Sequence, residues 1–274
     1  MPGVDRAGAA TGDPVTGALP TSPMPRTALV TGGGRRIGRA LFLALAADGY
    51  AVAIHHHRSK KEAEALAAEI ARAGGKAVAL AANLAEEEAV AELLPRAVAA
   101  LGPVGCLVNN ASIFENDTAT TATRDSWDRH LAVNLRAPFV LTQSFARHLP
   151  ADSSGVIVNL LDERVWNLTP YFVSYTVSKA GLWTLTQTMA LALAPRIRVN
   201  GIGPGPTLPS PRQSREQFLD RCHRLPLRRG TSPDEIAAAL RFILGAPAMT
   251  GQMIALDGGE HLGWAQPGQG EVVE

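Results

Sequence analysis

Thr27-Ala28-Leu29-Val30-Thr31-Gly32-Gly33-Gly34-Arg35-Arg36-Ile37-Gly38 is the stretch that decides the fold. A short apolar run reaches three consecutive glycines, and a helical pattern follows over residues 37–48 until Gly49 stops it. A strand that passes through a glycine turn into a helix opens a βαβ unit. Glycine lets the backbone approach a bound pyrophosphate, and the helix N-terminus offers unpaired N–H groups and positive potential. Glycine serves an ordinary tight turn equally well, so the weight of the motif comes from its place at the first strand.

Outward from this turn, short apolar runs alternate with helical patterns. Residues 51–55, 77–81, 104–108, 156–161, 197–202 and 253–256 read as strands. Residues 60–72, 86–101, 125–149, 174–194 and 233–244 read as helices, with Pro138 as a kink or break in the third. Strands apolar along their whole length, separated by helices, predict a parallel sheet covered on both faces. The expected fold is α/β, a Rossmann-type doubly wound parallel sheet in three layers and a single domain. Residues 1–25, rich in Gly, Ala, Pro and Thr, read as a disordered leader without the apolar core of a secretory signal. The working domain is then 26–274, with a proline-rich substrate-covering loop at about 204–231; Arg212, Arg215 and Arg224 lie within or beside it, each able to meet a substrate, with a solvated face the expected setting.

Composition narrows the function classes. Of 274 residues, 26 are Lys or Arg and 25 are Asp or Glu, a net charge of +1 with no long basic run. A nucleic-acid or anionic-membrane partner would need clustered cations, so neither is expected. Cys106 and Cys222 alone fit a reduced interior and a cytoplasmic location. Apolar stretches are interrupted well short of the ~20 residues that span a bilayer.

The second strand ends at His55-His56-His57-Arg58-Ser59. In a dinucleotide fold this tip meets the adenosine ribose, where a carboxylate selects NAD. None is present. Arg58 offers a fixed fork to a phosphate, Ser59 a hydroxyl and His57 a further donor, with Arg36 able to close the other side. The expected cofactor is NADPH. The three histidines are not read as a metal site, because a strand turns His56 away from His55 and His57 and no Cys or Asp joins them. Asn109-Asn110-Ala111-Ser112 follows the fourth strand, on the side of the sheet where ligands bind. Tyr175 and Lys179, four apart on one helical face, bring an ammonium near a phenol, which favours the phenolate and fits the phenol for general acid/base work.

Together the glycine turn, Asn109-Asn110-Ala111-Ser112, Val133-Asn134-Leu135, Tyr175/Lys179 and Asp257-Gly258-Gly259 resemble the short-chain dehydrogenase/reductase family from Arg26 to Gly259. The resemblance implies Tyr175 as proton donor, Lys179 tuning it and holding the nicotinamide ribose, and Asn134 bending its helix and supporting a proton relay. It implies cofactor contacts at Gly32, Arg36, Ile37, His57, Arg58, Ser59, Asn83, Leu84, Asn110, Ala111, Ser112, Tyr175, Lys179, Pro204 and Gly205. Asn83 stands where the family generally has an Asp contacting adenine. The resemblance also implies a homotetramer, with Trp264 packing at a neighbouring subunit's site.

Two departures look like pteridine reductases: Arg36 in place of a second glycine, and Asp162 in place of the usual serine. His57-Arg58-Ser59 and the Phe114 that follows Asn-Asn-Ala-Ser point the same way. There Phe114 would stack on a pterin while Ser112, Asp162 and Tyr175 bind it, Asp162 working with Tyr175 to protonate a ring nitrogen. The implied activity is NADPH-dependent reduction of a pterin-like small molecule, dihydropterin to tetrahydropterin. The alternatives are reduction of a ketone, quinone or cyclic imine, and a noncatalytic NADPH-sensing protein. Asp162 as a loop cap and Phe114 as plain core are the bland readings of the two decisive residues.

Overall fold

Ala28, Leu29 and Val30 are fully buried in strand β1 (Thr27–Val30), so the strand is covered on both faces. Ala28 and Val30 join one apolar cluster and Leu29 joins another, as the alternation of a strand requires. The structure, a computed structural model, describes residues 22–210 and 212–263. Of the leader expected over 1–25, residues 1–21 lie outside the described residues, as does Trp264. Ser22 and Pro23 accept hydrogen bonds from Ser154, and Pro25 lies against Gly105.

Beyond β1 the strands are β2 (Ala51–His56), β3 (Ala77–Ala81), β4 (Cys106–Asn109), β5 (Gly155–Leu160), β6 (Ile197–Pro204) and β7 (Met253–Leu256). Among the described residues they form one seven-stranded sheet in the order β3-β2-β1-β4-β5-β6-β7, every neighbouring pair parallel. Helices α1 (Arg36–Ala47), α2 (Lys60–Arg72) and α8 (Pro233–Gly245) cover one face through Phe42, Leu66 and Leu240. Helices α3 (Glu87–Leu101), α5 (Ala137–His148) and α6 (Val173–Leu193) cover the other through Leu93, Phe145 and Ala190. Leu29, Leu107, Ile157 and Val199 pair in register across β1, β4, β5 and β6, one apolar row beneath that second layer. The expected three-layer doubly wound fold is the one observed.

The chain winds from β1 out to β3 and returns to place β4 on the other side of β1. The connections leaving β1 and β4 therefore diverge, which opens a crevice at their C-terminal ends. Two elements differ from expectation. The helix expected over 125–149 is α4 (Arg124–Leu131), a π turn (Ala132–Arg136) and α5, so the irregularity precedes Pro138, which sits in the first turn of α5 directly after the π turn. The loop expected over 204–231 contains helix α7 (Arg215–His223), started by a reciprocal capping box between Ser214 and Gln217.

Candidate active site

The glycine turn is built by close approach. A Cβ on Gly32 would lie 2.8 Å from the Ala111 Cα, and one on Gly38 2.2 Å from the Gly32 carbonyl oxygen. Asn110 Nδ2 donates to the carbonyls of Thr31 and Gly32, and the Thr31 hydroxyl accepts from the amides of Asn110 and Ala111. His55 is a third brace: its Nδ1 accepts from Gly32 N at 3.0 Å while Nε2 donates to the Ala82 carbonyl at 3.1 Å. Burial keeps this imidazole neutral, its pKa lowered to about 4. Helix α1 begins in the turn with no side-chain cap and no acidic residue in its first turn, leaving its N–H groups and positive potential to the crevice.

The crevice is a cleft of about 800 Å³ lined by the glycine turn, the β2 tip and the loop after β4. Gly32, Arg36, Ile37, His57, Arg58, Ser59, Asn83, Leu84, Asn110, Ala111 and Ser112 all line it. A dinucleotide fits what these residues offer: a backbone cradle, an uncapped helix N-terminus and exposed His57 and Arg58 at the far tip. Details depart from expectation. Arg36, at positive φ, donates to the carbonyls of Pro209 and Leu208 and so reaches toward the substrate loop instead of Arg58. Arg35, which the sequence reading passed over, lines the cleft and pairs with Glu62 on α2. Asn83 spends its amide on Glu86 and Ala85, and Ser59 donates to Gly33. Pro204 and Gly205 lie at the end of β6, where a Cβ on Gly205 would meet Asp257 at 2.8 Å.

Beyond Ser112, α6 presents Tyr175 and Lys179, both buried. The Tyr175 hydroxyl donates to Asp162 Oδ2 at 2.6 Å. The other oxygen, Oδ1, accepts from the Arg164 backbone N–H and from Arg164 Nη1, each at 3.0 Å. Burial, the charge of Asp162 and the hydrogen bond to it hold the phenol proton well above the ordinary tyrosine range. Lys179 Nζ donates to the Leu160 carbonyl at 2.6 Å, and burial lowers its pKa to about 8. Lys179, expected to tune the phenol, is bonded to a backbone carbonyl, while the hydroxyl's direct partner is a carboxylate, which favours the neutral phenol. Asn134, inside the π turn, binds both backbone groups of Ile113 and the hydroxyls of Ser112 and Ser178, tying the cleft loop to α6.

Phe114 stacks on Phe172 with ring centroids 4.3 Å apart and planes 10° from parallel, and meets Tyr175 edgewise at 4.7 Å. Phe172 is the N-cap of α6 and holds a left-handed backbone, fixed by a bond from its N–H to the Asp117 carbonyl. Arg164 lies 5.5 Å from both ring centroids and Arg212 5.4 and 5.9 Å. Near-equal distances to two stacked rings place both guanidiniums at the rim of the stack, not over a face. Arg212, exposed as expected, also donates to the Phe114 carbonyl at 2.9 Å. Tyr175, Asp162, Phe114 and Asn134 are thus brought together. Phe172, Arg164 and Glu163 were missed, and a Phe three residues before the Tyr was the one available signal.

The family model of the short chain dehydrogenases matches residues 26–219. A 3-oxoacyl-[acyl-carrier-protein] reductase, FabG of Staphylococcus epidermidis, is 34% identical over 247 residues, 87% of this chain and 100% of its own. The solved structure of FolM alternative dihydrofolate reductase 1 from Brucella suis, in complex with NADP, is 47% identical with a TM-score of 0.85, covering 90% of this chain and 98% of that one. Its Brucella canis counterpart, also complexed with NADP, is 46% identical with a TM-score of 0.84 over 89% and 98%.

Proposed function

The chain belongs to the short chain dehydrogenase family, and from that premise we propose that it is an NADPH-dependent reductase of a pterin-like heterocycle, carrying a dihydropterin to the tetrahydro form. One observation carries this reading: the Tyr175 hydroxyl faces a carboxylate, Asp162, beside the ring of Phe114. A serine hydroxyl suits a ketone, because it donates to the oxyanion that develops there. A carboxylate accepts from the N–H and amino groups of a pterin-like ring and shares a proton with the adjoining phenol. The identity to the two Brucella reductases, higher than that to the acyl reductase, supports the same choice.

Bound NADPH supplies the hydride, from its nicotinamide C4. The protein's residues do the rest. Gly32 and the start of α1 receive the pyrophosphate, and His57, Arg58 and Ser59 receive the adenosine phosphate. Asn83, Leu84, Asn110 and Ala111 line the adenosine and ribose path, with Pro204 and Gly205 bordering the nicotinamide end. Phe114 gives the flat substrate an aromatic face. Tyr175 and Asp162 pass one proton to the ring nitrogen beside the reduced carbon, while Lys179 and Asn134 hold the helix and loop that position them. We place the enzyme in the cytoplasm as a homotetramer. Val177, Leu191 and Phe242 stand exposed on α6 and α8 of one chain, and light scattering of the purified protein checks the assembly.

Two variants test the carboxylate. With a dihydropterin as substrate and NADPH saturating, Asp162→Ser lowers kcat/KM by about 100-fold or more, and Tyr175→Phe by about 100- to 10,000-fold. Full dihydropterin turnover by Asp162→Ser would remove the basis of the reading. In that case the rival, a ketone, quinone or cyclic-imine reductase, takes its place.

A further inference from the structure

Behind Asp162, four charged side chains from three elements stand in an ordered run. Arg164 Nη1 lies 3.0 Å from Asp162 Oδ1 and 3.4 Å from Glu163 Oε1. Glu163 Oε1 lies 3.6 Å from Arg221 Nη2, which reaches Glu260 Oε1 at 2.9 Å. Glu163 and Arg164 belong to a 3₁₀ turn (Glu163–Val165), Arg221 to α7 of the substrate loop, and Glu260 to a 3₁₀ turn after β7 (Glu260–Leu262). The Glu163 side chain is 2% exposed and that of Arg164 9%. Glu163 Oε2 and Arg164 Nε have no hydrogen-bond partner among the described residues.

We propose that Glu163 and Arg164 are positioning residues for the Asp162–Tyr175 pair: Arg164 fixes the carboxylate toward the phenol, and Glu163, gripped by Arg221, ties the pair's proton affinity to the seating of α7. This rests on the reading of Tyr175 and Asp162 as the acid/base pair. Within the run itself, Asp162, Glu163 and Glu260 fully ionised outnumber Arg164 and Arg221, with Lys179 a further cation on the Asp162 side alone, and the buried Glu163 end resists that surplus negative charge. One carboxyl therefore keeps its proton. Glu163 is the least exposed of the three and has an unpartnered oxygen. Burial and the charges of Asp162 and Glu260 push it up to about 8, against the pull of Arg164 and Arg221. Of the other neighbours, Tyr175 on α6 is held by Asp162, Lys179 on α6 is a cation acting on Asp162, and His261 beside Glu260 is paired with Asp257.

When Glu163 ionises, its charge competes for Arg164 and leaves Tyr175 with higher proton affinity, hence a poorer acid. The limb this gives near pH 8 must be separated from Lys179, which is lowered to the same region. Carbon-13 NMR of glutamate-labelled full-length protein, with kcat/KM profiles on the best substrate, makes that separation. The wild type should show one glutamate carboxyl with a midpoint near 8, a value taken from its burial and neighbours. That signal and the matching kinetic limb disappear in Glu163→Gln. In Arg221→Gln, which removes a cation, both move up by roughly half to one pH unit.

No glutamate titrating in that region, or a limb that survives Glu163→Gln unchanged, overturns the proposal. Should Glu163→Gln not fold, Arg221→Gln decides alone, since its side chain is one-third exposed. Tyr175→Phe in the same series separates the two failures. An inactive Tyr175→Phe with an unmoved limb in Glu163→Gln sinks only the positioning role. An active Tyr175→Phe sinks the acid/base reading.

Discussion

Asp162 divides its carboxylate between two tasks, one oxygen for the Tyr175 hydroxyl and one for Arg164 and the turn that Arg164 begins. The bland reading of this residue, a loop cap, is therefore half of what it does. At the β2 tip, Arg58 is exposed and lines the cleft, where it can meet a phosphate. Arg58→Ala should raise KM for NADPH by about 10- to 100-fold, the worth of a charged hydrogen bond, and leave that for NADH nearly unchanged. Steady-state kinetics with both cofactors checks it. His55 makes a prediction in pH. Its folded pKa of about 4 lies below the usual histidine value of 6.5, so the unfolded chain binds the proton first and stability is lost as pH falls from about 6.5 toward 4. His55→Asn lacks that penalty. Its Tm deficit against the wild type should be largest near pH 7 and shrink by pH 4.5, read by thermal denaturation across that range. The chemistry-bearing residues were legible because their types are unusual for their places: a carboxylate where a hydroxyl is customary, an Arg where a carboxylate is customary. Phe172, which meets Phe114 across the fold, left only its spacing from Tyr175 as a signal, and Arg164 and Glu163, beside Asp162 in sequence, look like ordinary loop charges.

Among elements, the glycine turn depends on α1 packing onto it at Gly38. Gly38→Ala places a methyl against backbone, which cannot yield as a flexible side chain would. It should abolish NADPH binding by fluorescence titration, or the folded protein with it. The π turn and α7 show what period and composition conceal. The π turn is one residue of extra width inside an otherwise regular apolar pattern, and Asn134 uses that width to reach Ile113, Ser112 and Ser178. Helix α7 did carry a signal, Ser214 and Gln217 at capping-box spacing, but prolines on its N-terminal side and few apolar positions hid it. Ser214→Ala should loosen α7 by about 1 kcal/mol. The expected readout is a raised KM for the substrate.

For the whole molecule, a parallel sheet covered by helices follows from strands buried on both faces, and so was legible from apolar runs alternating with helices. Its switch point between β1 and β4 places the cleft at their ends. Leu107→Ala, in the middle of the register row, should cost about 2–5 kcal/mol of stability in denaturant titration and leave the preference between NADPH and NADH untouched. Less legible was how one scaffold separates substrates, because the Tyr175, Lys179 and Asn134 set serves ketone and pterin chemistry alike. The central claim, that Asp162 and Phe114 turn this scaffold to a pterin-like ring, is met most directly by one competition. The wild-type enzyme is given NADPH with a dihydropterin or with a 3-ketoacyl thioester, and kcat/KM is read from NADPH absorbance. A dihydropterin preference of about 100-fold or more, some 3 kcal/mol in the transition state, is the predicted result. Turnover of the ketoacyl substrate without the dihydropterin would contradict it.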